Sequence, residues 1–230
     1  MSLYCISDPH LSFSCDKPMD IFGDRWQDYV AKLEKNWKEN VGQEDIVVLP
    51  GDISWAMNLE DALEDFRFIN SLPGRQKIIL KGNHDYWWST LSKLNAFLAE
   101  NNFDTIKFLH NNHYSYENYG ICGTRGWINE TSVPADAKVL AREAQRLEVS
   151  IKSALNENLE PIVFLHYPPV FGNESNYDIL DVMYKYNVKE CYYGHLHGNA
   201  HKYAICGERE GINFNLIAAD FVQFCPKKVL

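Results

Sequence analysis

Short runs of unbroken apolar residues punctuate this chain, Ile46-Val47-Val48-Leu49, Ile78-Ile79-Leu80 and Ile162-Val163-Phe164-Leu165 among them. Successive side chains of a strand point to opposite faces, so such a run must be covered on both sides, as in the inner strands of a parallel or mixed sheet. Between the runs stand stripes of helical period: Trp26, Val30, Leu33 and Trp37; Ala62, Leu63, Phe66 and Ile69; Leu91, Leu94 and Leu98. The longest, over 136–156, carries Leu140, Ala144, Leu147, Ile151 and Leu155. Asn58 and Ser89 or Thr90 stand where helix caps are needed, while Gly42 and Pro73-Gly74 end two of the stripes. Strands alternating with helices predict an α/β fold. Later the pattern turns to hairpins, Tyr114–Tyr116 with Tyr119–Cys122 about Glu117-Asn118, and Lys202–Cys206 with Ile212–Ala218 about the turn 207–211. With 230 residues and no repeat, low-complexity tract or linker, residues 1–230 read as a single domain.

The apolar runs end in a recurring kind of residue. Leu3-Tyr4-Cys5-Ile6 runs into Asp8 and His10, and Ile46–Leu49 into Gly51-Asp52. Ile78–Leu80 runs into Lys81-Gly82-Asn83-His84-Asp85, Ile162–Leu165 into His166, and the run 188–193 into Gly194-His195-Leu196-His197. A lone His or Asp after a strand is ordinarily a loop hydrogen-bonder. Here five of the eight histidines lie at strand ends, and in open α/β sheets sites form outside the carboxyl ends of the strands. Taken together, the five ends are expected to converge on one site. His110, His113 and His201 fall outside the pattern and read as ordinary loop residues.

Composition removes several classes of function. With 31 acidic against 22 basic residues and a net charge of -9, no basic cluster exists to neutralise a nucleic-acid backbone. No apolar stretch reaches the length of a membrane span, and no leader pattern opens the chain. The six cysteines form no C-x-x-C pair and read as reduced thiols, so a cytoplasmic protein is expected.

Imidazoles, carboxylates and an amide, without a thiolate, suit Mn, Fe, Zn or Co better than Ca or Mg alone. Asp8, His10, Asp52, Asn83, His166, His195 and His197 are too many ligands for one ordinary ion. Two ions sharing one carboxylate and a hydroxide would use them, an arrangement typical of in-line phosphoryl displacement.

The set Asp8-x-His10, Gly51-Asp52, Gly82-Asn83-His84-Asp85, His166 and Gly194-His195-x-His197 resembles the calcineurin-like metallophosphoesterase superfamily, its motifs in order across residues 8–197. The resemblance implies a four-layer α-β-β-α sandwich of two mixed sheets flanked by helices. It puts Asp8, His10 and His197 on one metal and Asn83, His166 and His195 on the other, with Asp52 bridging both. It leaves His84 beside the substrate, held by Asp85, as general acid for the leaving group or donor to the phosphoryl oxygens. Two divalent or trivalent ions would then activate a bridging hydroxide for attack on a small phosphate mono- or diester, and their residual positive charge would attract it.

The protein serine/threonine phosphatase branch adds an Asp and an Arg shortly after the Gly-Asp motif, where this chain has Ile53-Ser54-Trp55-Ala56-Met57. The resemblance is therefore to the bacterial-type predicted phosphohydrolase branch. Arg125, flanked by glycines after a strand, either grips phosphate in bidentate fashion or hydrogen-bonds beneath its loop. Two other functions stay open: a nucleotide phosphodiesterase or nuclease that stacks a base on Trp87-Trp88, and a non-catalytic binding module on the same fold.

Overall fold

A computed structural model describes residues 1–17, 19–127 and 134–230, with side chains in the long helix described from Asp136 onward. The fold is α/β, with two large mixed sheets and flanking helices, consistent with the expected α-β-β-α sandwich. The chain divides into two compact units, Met1–Phe108 with Ile217–Leu230, and Leu109–Leu216.

In the first unit, strands β1 (Leu3–Cys5), β2 (Ile46–Pro50), β3 (Gln76–Leu80) and β4 (Ile106–Phe108) pair in parallel, and the last strand, Lys227–Lys228, runs antiparallel beside β1. All of β2 is buried, as its unbroken apolar run requires. Helices α1 (Tyr29–Asn40), α2 (Leu63–Ser71) and α3 (Leu91–Glu100) supply Leu33, Trp37, Phe66, Ile69, Leu94 and Leu98 to the core of this unit. Because Cys5 pairs with Val48 and Val48 with Ile78, the three strands end at one edge. Asp8, Asp52 and Asn83 leave the sheet there.

The second unit holds the hairpin β5 (Tyr114–Tyr116) and β6 (Tyr119–Thr124), the helix α4 (Pro134–Leu155), and β7 (Glu160–Leu165). Then come the small hairpin β8 (Val170–Phe171) and β9 (Glu174–Ser175), α5 (Tyr177–Lys185), β10 (Glu190–Tyr193), β11 (Gly207–Arg209) and β12 (Ile212–Leu216). The sheet order is β11-β12-β10-β7-β6-β5, parallel inside and antiparallel at both edges. Thr124 pairs with Leu165 and Leu165 with Tyr193, so Arg125, His166 and His195 leave the same edge of this sheet.

Three expectations shift. The stripe from Trp26 to Trp37 is not one helix, because Asp28 at φ 52° separates a 3-10 turn, Asp24–Trp26, from α1. Asn58 caps a turn ahead of α2, its Oδ1 accepting from Asp61 N–H at 2.9 Å, and the helix itself begins at Leu63. The terminal hairpin starts later than expected: Lys202 and Tyr203 lie in a 3-10 helix, Gly198–Tyr203, and β11 uses residues assigned to the turn. Its reversal is two residues long, Glu210 at φ 53° and Gly211 at φ 82°, a pair of left-handed positions that suits the strand twist.

Candidate metal centre

Three of the side chains at the edge of the first sheet sit on strained backbone. Asp8, His10 and Asp52 have φ of 60°, 45° and 51°, the left-handed region that costs a side-chain-bearing residue energy and clusters at functional sites. All three are nearly sealed from solvent. The two loops are laced together by backbone bonds, Asp8 N–H to Gly51 O at 3.1 Å, His10 N–H to Asp52 O at 3.0 Å and Leu11 N–H to Ile53 O at 2.9 Å. One ligand atom of Asp8 lies within 4.8 Å of one of His10, and His10 Nε2 is 3.7 Å from Asp52 Oδ2.

The Asn83 loop is built onto Asp52. His84 N–H donates to Asp52 Oδ1 at 2.8 Å. Gly82 packs so closely that a Cβ there would stand 2.1 Å from the same oxygen and 2.2 Å from Asp52 N, so any other residue would force Asp52 to shift. Asp85, fully buried, accepts N–H groups from Asp52 at 2.9 Å, Ile53 at 2.8 Å and Gly82 at 2.7 Å, and from Trp87 Nε1 at 3.1 Å. Those donors nearly fill the acceptor capacity of a carboxylate. Asp85 therefore fastens the loop of His84 to that of Asp52.

Trp55 was legible only as a departure from the phosphatase pattern, yet its ring stacks on His10 at 4.9 Å and lies 4.4 Å from His84. Trp26 meets His10 edge-on at 5.9 Å, and the Tyr29 hydroxyl donates to His10 O at 2.9 Å. These neighbours fix the imidazole by packing. Trp87 is core, 2 % exposed and against Phe66, whereas Trp88 is half-buried.

In the second unit, His166 is fully buried and His195 takes φ 70°. Each offers a ligand atom within 4.8 Å of the other, and their rings meet edge-on at 5.1 Å. Gly194 N–H donates to His166 O at 3.1 Å, which joins the two loops, and Tyr167 packs 4.2 Å from the His195 ring. His201, read from the sequence as an ordinary loop residue, has its Nε2 3.0 Å from Leu196 O and also offers an imidazole nitrogen within 4.8 Å of one on His197.

Arg125 carries a supporting role on its backbone: its carbonyl accepts from His166 N–H at 3.1 Å and Tyr167 N–H at 2.9 Å. The guanidinium lies over Trp127 at 4.4 Å and 3.9 Å from buried Glu143, which also holds the Thr124 hydroxyl and Arg146. Burial holds the Arg125 pKa below its ordinary value, with Glu143 opposing it only in part. His113 is a loop hydrogen-bonder as expected, 2.8 Å from the Ser153 hydroxyl. The described residues thus include groups of His and Asp able to hold a metal ion. No described helix is long and apolar enough to cross a membrane.

A model of the family "Calcineurin-like phosphoesterase" matches residues 1–199. No curated protein matches the chain. Among solved structures, the protein of unknown function AQ665 from Aquifex aeolicus aligns over 99% of this chain and 95% of its own, with a TM-score of 0.53 and 19% identity. At that identity the likeness is one of fold.

Proposed function

The chain belongs to the calcineurin-like phosphoesterase family, and from that membership we propose that it hydrolyses a small phosphate mono- or diester with two metal ions. The observation that supports this most is the presentation of buried ligand side chains on left-handed backbone at Asp8, His10 and Asp52, with His195 strained likewise beside buried His166. Buried carboxylates need a cation or donors, and this donor set fits Mn, Fe, Zn or Co. In the proposed assignment Asp8, His10 and His197 hold one ion, Asn83, His166 and His195 the other, and Asp52 both. When bound, such a pair acidifies the attacking water and offsets charge on the phosphoryl oxygens.

The remaining work falls to the chain's own groups. The His84 backbone steadies Asp52, leaving its imidazole, when protonated, to donate to the leaving-group oxygen or a phosphoryl oxygen. Asp85 holds that loop in place. Arg125 is the candidate to bind the phosphoryl group, with Glu143 and Trp127 limiting its rotamers. The nucleotide alternative loses half of its proposed stacking surface, because Trp87 is buried. We place the enzyme in the cytoplasm, acting as one domain, a setting that suits its buried free thiols Cys5, Cys122 and Cys191.

Asp52→Asn tests the shared ligand. A carboxylate between two cations offsets their repulsion, so the variant should lose both ions together. Two ions per chain retained in that variant, measured by elemental analysis, would rule out the shared role.

A further inference from the structure

One buried carboxylate outside every motif is tied to both loops that carry Asp8, His10 and Asp52. Asp65, in the first turn of α2, is fully buried. Its Oδ1 accepts the Phe13 N–H at 2.9 Å, and its Oδ2 accepts the Ser54 hydroxyl. Ser54 Oγ in turn accepts the Ala56 N–H at 3.1 Å. Between those two anchor points the loops are zipped, Leu11 bridging Ser54 in parallel and Trp55 N–H reaching Leu11 O at 3.0 Å.

A fully buried carboxylate with no ion pair among the described residues is expensive, and burial does push the Asp65 pKa up while its two donors pull it down. An apolar residue would pack that site at lower cost. What only a carboxylate supplies there is two acceptors at fixed separation, one for each loop. The helix N-terminus helps to tolerate its charge.

We propose that Asp65 is a positioning residue, which holds the loop after β1 against the loop after β2 and so keeps Asp8, His10 and Asp52 on their left-handed backbone. Its effect on metal affinity rests on the function proposed above. Its effect on the loops does not. Left-handed backbone relaxes unless its surroundings hold it, and Asp65 closes the far end of the zipper whose near end is closed by Asp85.

The test uses the full chain stripped with chelator, comparing wild type, Asp65→Ala, which removes both acceptors, and Asp65→Asn, which keeps one for Phe13 and remains available if the alanine variant does not fold. Amide hydrogen exchange should quicken about tenfold or more at Leu11, Phe13 and Trp55, less in the asparagine variant, with β2, β3 and α3 unchanged. Manganese titration should then show affinity weakened about tenfold, the lower end of what indirect supports of a metal site contribute. Unchanged exchange at those amides, or equal acceleration throughout the unit, would overturn the proposal. So would loosened loops with unaltered manganese affinity. A wild type that takes up no manganese would refute the metal reading, and the exchange comparison would still decide whether Asp65 holds the loops.

Discussion

At the scale of single residues, Asp52 is constrained from three sides. Its nitrogen is held by Asp85, one oxygen by His84 N–H, and the other faces His10. Gly82 leaves the room for this, so Gly82→Ala should push the carboxylate aside and lower metal affinity about tenfold or more, with the circular dichroism of the fold retained. Metal analysis after dialysis checks it, and wild-type occupancy in the variant would contradict it. His84→Asn separates the two proposed roles of the imidazole. General acid catalysis contributes about 10²- to 10⁴-fold and matters most for a basic leaving group. The variant should therefore slow alkyl esters far more than nitrophenyl esters, in kcat/KM across a series of graded leaving-group pKa. A uniform loss would make His84 a phosphoryl-oxygen donor instead. Asp8, His10, Asp52, His166, His195 and His197, all in groups able to hold a metal ion, could be picked out because each comes just after an apolar run. Asp65 and Trp55 could not, since a helix carboxylate and a loop tryptophan carry no local signal of what they touch.

At the scale of elements, strands were read more faithfully than their connections. An unbroken run such as Ile46–Leu49 has few alternatives to an inner strand, whereas the stripe through Trp26 gave no warning that Asp28 would turn left-handed. Lys77 shows another feature hidden from pattern. It lies in β3, fully buried, and its ammonium donates to the carbonyls of Asn70, Leu72 and Gly74 and to the Thr105 hydroxyl, capping the C-terminal end of α2. Burial lowers its pKa from 10.5 to about 8. Between those values the unfolded chain holds the proton and the folded chain releases it, so this residue's contribution to stability rises with pH through the interval and is flat below about 8. Urea unfolding of wild type and Lys77→Met isolates it from the other titrating groups. Relative to Lys77→Met, wild type should gain stability between pH 8 and 10.5, and a pH-independent difference would contradict the account.

At the scale of the whole molecule, two mixed sheets present histidines and aspartates at the carboxyl edges of their parallel strands, Asp8, His10 and Asp52 from one and His166 and His195 from the other. The α/β class was legible because buried strands and helical stripes alternate. The division of the strands between two sheets came only with the family resemblance, since nothing local in an apolar run says which sheet it will join. The family match and the fold likeness rest on different comparisons and agree with that architecture. The most direct test is to strip the full chain with chelator, titrate manganese back, and follow bound metal and the hydrolysis of mono- and diesters in the same samples. Activity should be absent from the stripped protein and should rise in step with metal to a plateau at two ions per chain. Hydrolysis that persists without metal, or a chain that binds two ions and cleaves none of the esters, would contradict a dinuclear phosphoesterase.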